Sequence, residues 1–362
     1  MSADCTDRPA GAPRVLVVRL SAIGDIVMAS PLASALRRRY PSARISWLVE
    51  EGLEGLVATH PEVDDLLVWP RRRWSNLKNT SRRQWLGEVM AFVRTLRRAQ
   101  FDLAIDAQGL LKSGLWVRLS GATERVALNP REGSGLWMHR KVQSPLDDPR
   151  MSSEYLDLAA ALELPTDGFQ PVLVTTPTDR LSARRLLESK GVEGDYVAVA
   201  PFTTRPQKHW PMSHWKRLFQ LFEHALGWPV VVLGGPADRP HASRLVEGHA
   251  QAVHACGDLS LRESAAVIEG ARLLTGVDTG LTHMAAAFDT PAVALFGSTR
   301  PYLNSSSPAT HVIYHDLFCA PCRRNPTCAG RFDCLTGISP EEVLAHAQRL
   351  LAAGALQRCW MP

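Results

Sequence analysis

The chain has 362 residues, 45% of them hydrophobic, 21% charged and 7% aromatic, an ordinary globular composition with enough length for two cores of roughly 150–200 residues each. Disordered, collagen-like and small disulfide-stapled architectures are excluded. The net charge of +5, from 41 Lys+Arg against 36 Asp+Glu, is too mild to imply nucleic acid as a partner.

At the start of the chain, MSADCTDRPAGAP lacks the apolar centre of a signal peptide, and no apolar run approaches the ~18–20 residues that span a bilayer. A cytosolic or peripheral protein is therefore expected. Short apolar runs then alternate with longer amphipathic ones, the pattern of parallel strands covered by helices. Strands are predicted at Val15–Leu20, Ile45–Val49, Leu66–Trp69, Leu103–Asp106 and Arg125–Leu128, and again at Tyr196–Ala200, Val230–Leu233, Leu273–Val277 and Val293–Phe296. Helices are predicted over Ser30–Arg39, with Ser30 as cap and Pro31 in the first position, over Ser213–Ala225, and over Glu341–Leu351 after Ser339–Pro340. Two such series in tandem predict an α/β chain of two doubly wound, Rossmann-like domains, 1–174 and 175–362, divided within the Pro-, Thr- and Asp-rich stretch Asp167–Thr178. Ligands of such sheets gather outside the carboxyl ends of the strands. Two domains facing each other across a cleft would then carry sites on both walls.

The first strand ends in RLSAIGDIVMASP, which puts Ser21, Gly24 and Asp25 at its carboxyl end. Because the G-x-G-x-x-G spacing is absent, a dinucleotide cradle is disfavoured. Asp25 is either a general base or a cap of the following turn. From Trp69 to Gly87 there is no acidic residue, while Arg71, Arg72, Arg73, Lys78, Arg82 and Arg83 interleave with Trp69, Trp74 and Trp85. Such a segment suits an anionic, partly amphiphilic partner, or else forms a solvated surface loop.

In the second half, PFTTRPQKHWP follows a strand and offers the hydroxyls of Thr203 and Thr204 with the cation of Lys208, a set that can hold phosphate without a P-loop. LLTGVDTGLTHMAAAF reads as a buried strand, then Asp278, Thr279, Gly280, Leu281 and His283, then a helix of small residues. Gly280 at a helix start lets free N–H groups approach an anion closely, and the helix dipole favours a diphosphate there. Asp278 could bind sugar hydroxyls, and His283 could contact phosphate or simply pack. Cys319, Cys322, Cys328 and Cys334 form C-x2-C-x5-C-x5-C, a run that could hold structural zinc, although its spacing does not match paired C-x2-C knuckles. An odd total of seven cysteines points to reduced thiols.

In order, VLVVRLSAIGDIVMASPLASALRRRYP, SWLVEEG, FDLAIDAQGLLKSG, TTRPQKHWP, GDLS, GVDTGLTHMAAA and LFGSTRP resemble the family 9 glycosyltransferases, the ADP-heptose:lipopolysaccharide heptosyltransferases, and especially their first branch. The resemblance implies a GT-B fold, with an acceptor domain followed by a nucleotide-sugar domain. It also implies inverting transfer without metal or other cofactor, from ADP-heptose to the Kdo region of a lipopolysaccharide precursor such as Kdo-lipid A. Asp25 would be the general base, and Lys208 would stabilise the leaving diphosphate together with Thr203, Thr204, Thr279, Gly280 and Leu281. Asp278 and His283 would orient the donor, with Asp238 near the adenosine ribose. Ser21, Gly24, Gln108 and the arginines Arg71, Arg72 and Arg73 would meet the acceptor, on the cytoplasmic face of the inner membrane at its anionic surface. The cysteine-rich tail ending CLTGISPEEV looks more like the second and third branches, which act on inner-core heptose. Pro206 and Gln207 stand where first-branch members often carry acidic residues. A GT-B nucleotide-sugar epimerase is the alternative chemistry.

Overall fold

The structure is a computed structural model that describes residues 12–145, 150–299, 307–322 and 325–359, with residues 354–359 described by backbone alone. It divides into two compact units: Met1–Leu146 with Ser152–Phe169, and Asp147–Met151 with Gln170–Pro362.

The first unit is built on a parallel sheet of β1 (Arg14–Val18), β2 (Arg44–Glu50), β3 (Asp65–Trp69), β4 (Leu103–Asp106), β5 (Glu124–Leu128) and β6 (Arg140–Val142), in spatial order β3-β2-β1-β4-β5-β6. The second repeats the plan with β7 (Val197–Ala200), β8 (Val230–Val232), β9 (Ala252–His254), β10 (Leu273–Val277), β11 (Ala292–Phe296) and β12 (Thr310–Tyr314), in order β12-β11-β10-β7-β8-β9. Counted from each unit's own first strand, both orders are the doubly wound 3-2-1-4-5-6. The order reverses direction between β1 and β4 and between β7 and β10, and those two switch points are where such sheets open for ligands.

Residues Val15 to Val18, Val197 to Ala200, Leu273, Leu274 and Ala292 to Phe296 are completely buried, as expected of parallel strands covered on both faces by helices. The helices of the first unit are α1 (Ile23–Ala29), α2 (Pro31–Arg39), α3 (Arg71–Thr80), α4 (Arg82–Arg98), α5 (Leu111–Ser120) and α6 (Ser153–Ala161). Those of the second are α7 (Pro177–Ser189), α8 (Met212–Leu226), α9 (Arg239–Val246), α10 (Leu261–Gly270), α11 (Gly280–Ala287), α12 (Asp333–Thr336) and α13 (Pro340–Cys359).

Three expectations need correction. Ser30 does not cap α2: its backbone is already right-handed helical, and its hydroxyl donates to Val27 O at 2.7 Å, so α1 passes into α2 through it. The basic segment is not a loop. Trp74 is buried in an aromatic group with Phe92 and Trp116, at centroid distances of 5.6 and 5.8 Å, and this anchor folds residues 71–80 into α3 with the arginines outside. The strands β6, β9 and β12 add to those the apolar runs predict. They are polar or brief, and the apolar-run signal belongs to strands buried on both faces.

Candidate functional site

At the first unit's switch point, Asp25 occupies the third position of α1, just beyond β1. Its Oδ2 accepts from the amide of Ala22 at 3.1 Å and is ion-paired with Arg19 Nη2. The carboxylate is thus a cap and a charged site group at once. Among the described residues only Oδ2 is engaged, and the side chain is 36% exposed, so Oδ1 is open to a proton donor. Arg19 is buried on the last turn of chain before the site, with Nη1 donating to Ala107 O at 2.9 Å. Burial works against its charge, but Asp25 and neighbouring acidic groups outweigh that and hold the guanidinium firmly protonated.

Beside Asp25, Ser21 Oγ accepts from Lys112 Nζ at 3.3 Å, and Lys112 lies 3.9 Å from Glu50 Oε2. Glu50 Oε1 in turn accepts from Arg71 Nη1 at 2.8 Å. Ser21, Lys112, Glu50 and Arg71 therefore form one chain of contacts along the carboxyl ends of β1, β2, β3 and β4. Burial, joined by the charges of Arg71 and Arg19, pulls the Lys112 pKa below its ordinary value despite the opposing pull of Glu50. Arg73 is tied to Glu88 on α4, while the Arg72 backbone donates to Glu51. Gly24 is buried within α1.

Gln108 is buried and braces the site from below: its Oε1 accepts from the Leu20 amide at 3.0 Å, and its own amide donates to Asp106 Oδ1 at 3.0 Å. Gly109 donates to the same oxygen at 2.9 Å, with φ at +69°. A Cβ there would stand 2.3 Å from Leu128 O, so the turn that delivers α5 and Lys112 requires glycine. Burial raises the Asp106 pKa, partly opposed by these amides.

At the second unit's switch point, Asp278 directly follows β10, and its carboxylate gathers three side chains. Lys208 Nζ lies 2.6 Å from Oδ2, Thr299 Oγ1 donates to the same oxygen at 2.6 Å, and His283 Nε2 lies 3.5 Å from Oδ1. Asp278 and Lys208 are only 12% and 16% exposed. Burial alone would raise the Asp278 pKa, but the His283 hydrogen bond and the Lys208 charge dominate and hold it far below the carboxylate range. His283 Nδ1 is buried without a hydrogen-bond partner among the described residues.

Thr279 is the N-cap of α11 and makes no side-chain cap, so Gly280 and Leu281 open the helix with the free amides that any helix start carries. Gly276 lets this corner close. A Cβ there would lie 2.2 Å from Thr282 Oγ1, which donates instead to Val277 O at 2.7 Å. Thr203 and Thr204 lie on the loop after β7 that leads to Lys208, and Thr203 O contacts His209 Nε2 at 2.9 Å.

Asp238 is placed apart from this group, after β8, where its Oδ2 accepts from Gly235 N at 2.8 Å and closes a 3-10 turn. Cys319, Cys322, Cys328 and Cys334 are free thiols, and burial pushes the Cys334 pKa up to about 11. No group of three or more His, Cys, Asp or Glu among the described residues is arranged to hold a metal ion. Motif reasoning does not single out Thr299, Arg19, Lys112 or Glu50. Each nonetheless lies within a segment that carries the family resemblance, LFGSTRP, VLVVRLS, DAQGLLKS or SWLVEEG.

Residues 89–332 match the model of glycosyltransferase family 9 (heptosyltransferase). The chain belongs to that family. It is a glycosyltransferase of the heptosyltransferase kind, and its two Rossmann-like units are those of the GT-B architecture. It is 33% identical to lipopolysaccharide heptosyltransferase 1 of Pseudomonas aeruginosa, over 94% of this chain and 98% of that protein. Among solved structures it resembles the Escherichia coli heptosyltransferase WaaC with ADP-2-deoxy-2-fluoro heptose, with a TM-score of 0.70 and 26% identity over 93% of this chain and 99% of that one. The fold is also that of the family 9 glycosyl transferase from Veillonella parvula, with a TM-score of 0.81 and 20% identity over 94% and 98% of the two chains.

Proposed function

We propose that this enzyme transfers heptose from ADP-heptose to the Kdo region of a lipopolysaccharide precursor, with inversion and without a metal ion. The observation that carries the reading is the likeness, over nearly the full length of both chains, to a lipopolysaccharide heptosyltransferase 1. The domain expected over residues 1–174 would take the acceptor and the one over 175–362 the nucleotide sugar. The enzyme would work on the cytoplasmic face of the inner membrane as a peripheral protein. Among the described residues no helix is long and apolar enough to cross a membrane.

In this reading Asp25 Oδ1 takes the proton from the acceptor hydroxyl, with Oδ2 held by Arg19 and the Ala22 amide so that the open oxygen keeps one direction. The acceptor oxygen bonds to the anomeric carbon as the bond from that carbon to the diphosphate oxygen breaks on the opposite face, and ADP departs with the electron pair. Lys208, Thr203, Thr204 and the first amides of α11 offset the charge that builds on the diphosphate. Both oxygens of Asp278 are already engaged, which favours a role in orienting Lys208 and His283 over direct bonding to sugar hydroxyls. Asp238 would approach the ribose. Ser21, Gly24, Gln108 and Arg71, Arg72 and Arg73 would form or brace the acceptor side, where an anionic acceptor finds Lys112 and Arg71 on either side of Glu50.

The test is transfer from ADP-heptose to Kdo2-lipid A and to its mono-heptosylated form, read by mass shift with EDTA present. Product on Kdo2-lipid A with EDTA is expected. Product only on the heptosylated acceptor would assign transfer to inner-core heptose, as the cysteine-rich tail suggests. A rearranged ADP-sugar with neither acceptor modified would replace transfer by epimerisation.

A further inference from the structure

Exposed apolar side chains concentrate on one face of the first unit. Leu86 and Met90 of α4 are 53% and 51% exposed, Leu111 and Leu115 of α5 are also exposed, and Leu136 stands out at 85% on the turn that rests against α5. A Cβ on Gly114 of α5 would meet Ser134 of that turn at 2.8 Å, so the turn sits directly on the helix. On α4, Arg83, Leu86, Met90, Arg94 and Arg97 follow at intervals of three and four residues, which keeps them on one stripe. The stripe borders α5: Arg97 Nε donates to Leu119 O at 3.3 Å, and Phe92 meets Trp116 edge-on at 5.2 Å. Leu111 immediately precedes Lys112, whose Nζ bonds Ser21, so the apolar face reaches the edge of the Asp25 site.

Charge identifies the occupant. Residues 71–98 carry nine Arg and Lys and a single acidic residue, Glu88, which is already paired with Arg73 and with the Trp74 indole at 2.9 Å. Protein-protein interface cores are depleted of charge, whereas here arginines flank leucine and methionine along the same stripe. That arrangement matches a surface whose anionic layer lies directly over an apolar one.

We propose that the α4–α5 face, with Leu136, docks the enzyme on an anionic lipid bilayer. Leu86, Met90, Leu111, Leu115 and Leu136 enter the acyl boundary while Arg83, Arg94 and the α3 arginines meet headgroup phosphates. The inference deepens the proposed function, because a lipid-linked acceptor has to be met at a bilayer surface, and it puts that surface beside Ser21 and Asp25.

The experiment is flotation of the full chain with vesicles of phosphatidylcholine containing about 30% phosphatidylglycerol, without donor or acceptor. Binding is expected with these vesicles and not with pure phosphatidylcholine, and it should weaken as salt is raised. The triple variant Leu86→Gln, Met90→Gln, Leu115→Gln should lose about tenfold or more in vesicle partition. Brominated acyl chains should quench the tryptophan emission of the unsubstituted chain, a readout that needs no variant. Absence of vesicle binding by the unsubstituted chain, or equal binding by the triple variant, overturns the proposal. Self-association of the chain that the triple variant abolishes, without vesicle binding, would reassign the face to a second copy. Transfer to a water-soluble deacylated acceptor should be the same in both chains. Its loss in both would count against the proposed function and leave the lipid surface standing.

Discussion

The two switch points carry the same device in opposite states. Each presents an aspartate beyond a buried parallel strand, held by a basic side chain. In the first unit Asp25 is 36% exposed and engaged through one oxygen. In the second, Asp278 is 12% exposed and both oxygens are taken, by Lys208, Thr299 and His283. Two carboxylates on the same type of sheet are thereby separated by environment into one with an oxygen left open and one whose oxygens are both taken. Secondary structure does not make that separation. The difference lies in how many partners the loops after neighbouring strands bring to each carboxylate.

The contrast is most severely tested at Asp278. Asp278→Asn leaves Lys208 without its charge partner in a nearly closed site, and the expected loss is about 3 kcal/mol of unfolding free energy, read from urea denaturation. A loss well under ~1 kcal/mol would show that Lys208 does not depend on Asp278 for its place.

Asp25→Asn should act chiefly on turnover. The amide keeps an oxygen for Arg19 and for the Ala22 amide, yet buried Arg19 loses its charge partner, so some stability is lost as well, while turnover falls roughly 10²-fold or more with ADP affinity nearly unchanged. Titration calorimetry with ADP beside a transfer assay separates the two effects. Retained turnover would remove the base assignment.

A third expectation concerns His60 in the first unit, which is buried with its pKa lowered by burial to about 4. The unfolded chain binds this proton near pH 6.5 and the folded chain only near pH 4, so stability rises with pH across that window. Lowering the pH from 7 to 5 should cost about 2 kcal/mol through this residue alone. Chemical denaturation at both pH values should show that component in the parent chain and not in His60→Gln.

The smallest effect is expected at the acceptor rim. Replacing Arg71, Arg72 and Arg73 by Ala should raise the acceptor KM several-fold and flatten its dependence on salt, since exposed charges act through a screened field. A salt profile identical to that of the parent would show that these arginines only solvate the start of α3.

Much of this architecture is legible in the order of residues alone. The runs at Val15–Leu20, Leu103–Asp106, Tyr196–Ala200 and Leu273–Val277 announce central strands because a parallel strand covered on both faces must be apolar along its whole length. The loops that follow them carry Asp25, Lys208 and Asp278, since chain leaving the carboxyl end of such a strand is where a doubly wound sheet exposes its backbone and polar groups. What stays hidden has a common cause. The edge strands β6, β9 and β12 are partly open to solvent and lack the apolar run. Helix α3 forms because Trp74 finds Phe92 and Trp116, partners 18 and 42 residues further along. Ser30 looks like a cap locally, yet it continues a helix that packing holds on both sides of it.

The fold class, the positions of the central strands and the choice of loops that carry the chemistry are thus properties of the amino-acid order, because periodicity and loop composition are local. The long-range partners of these groups are settled by tertiary packing. The chain from Ser21 through Lys112 and Glu50 to Arg71, and the gathering of Lys208 and Thr299 on Asp278, depend on strands distant in sequence becoming neighbours in a sheet, whereas Arg19 with Asp25 and His283 with Asp278 meet within a single strand-to-helix segment.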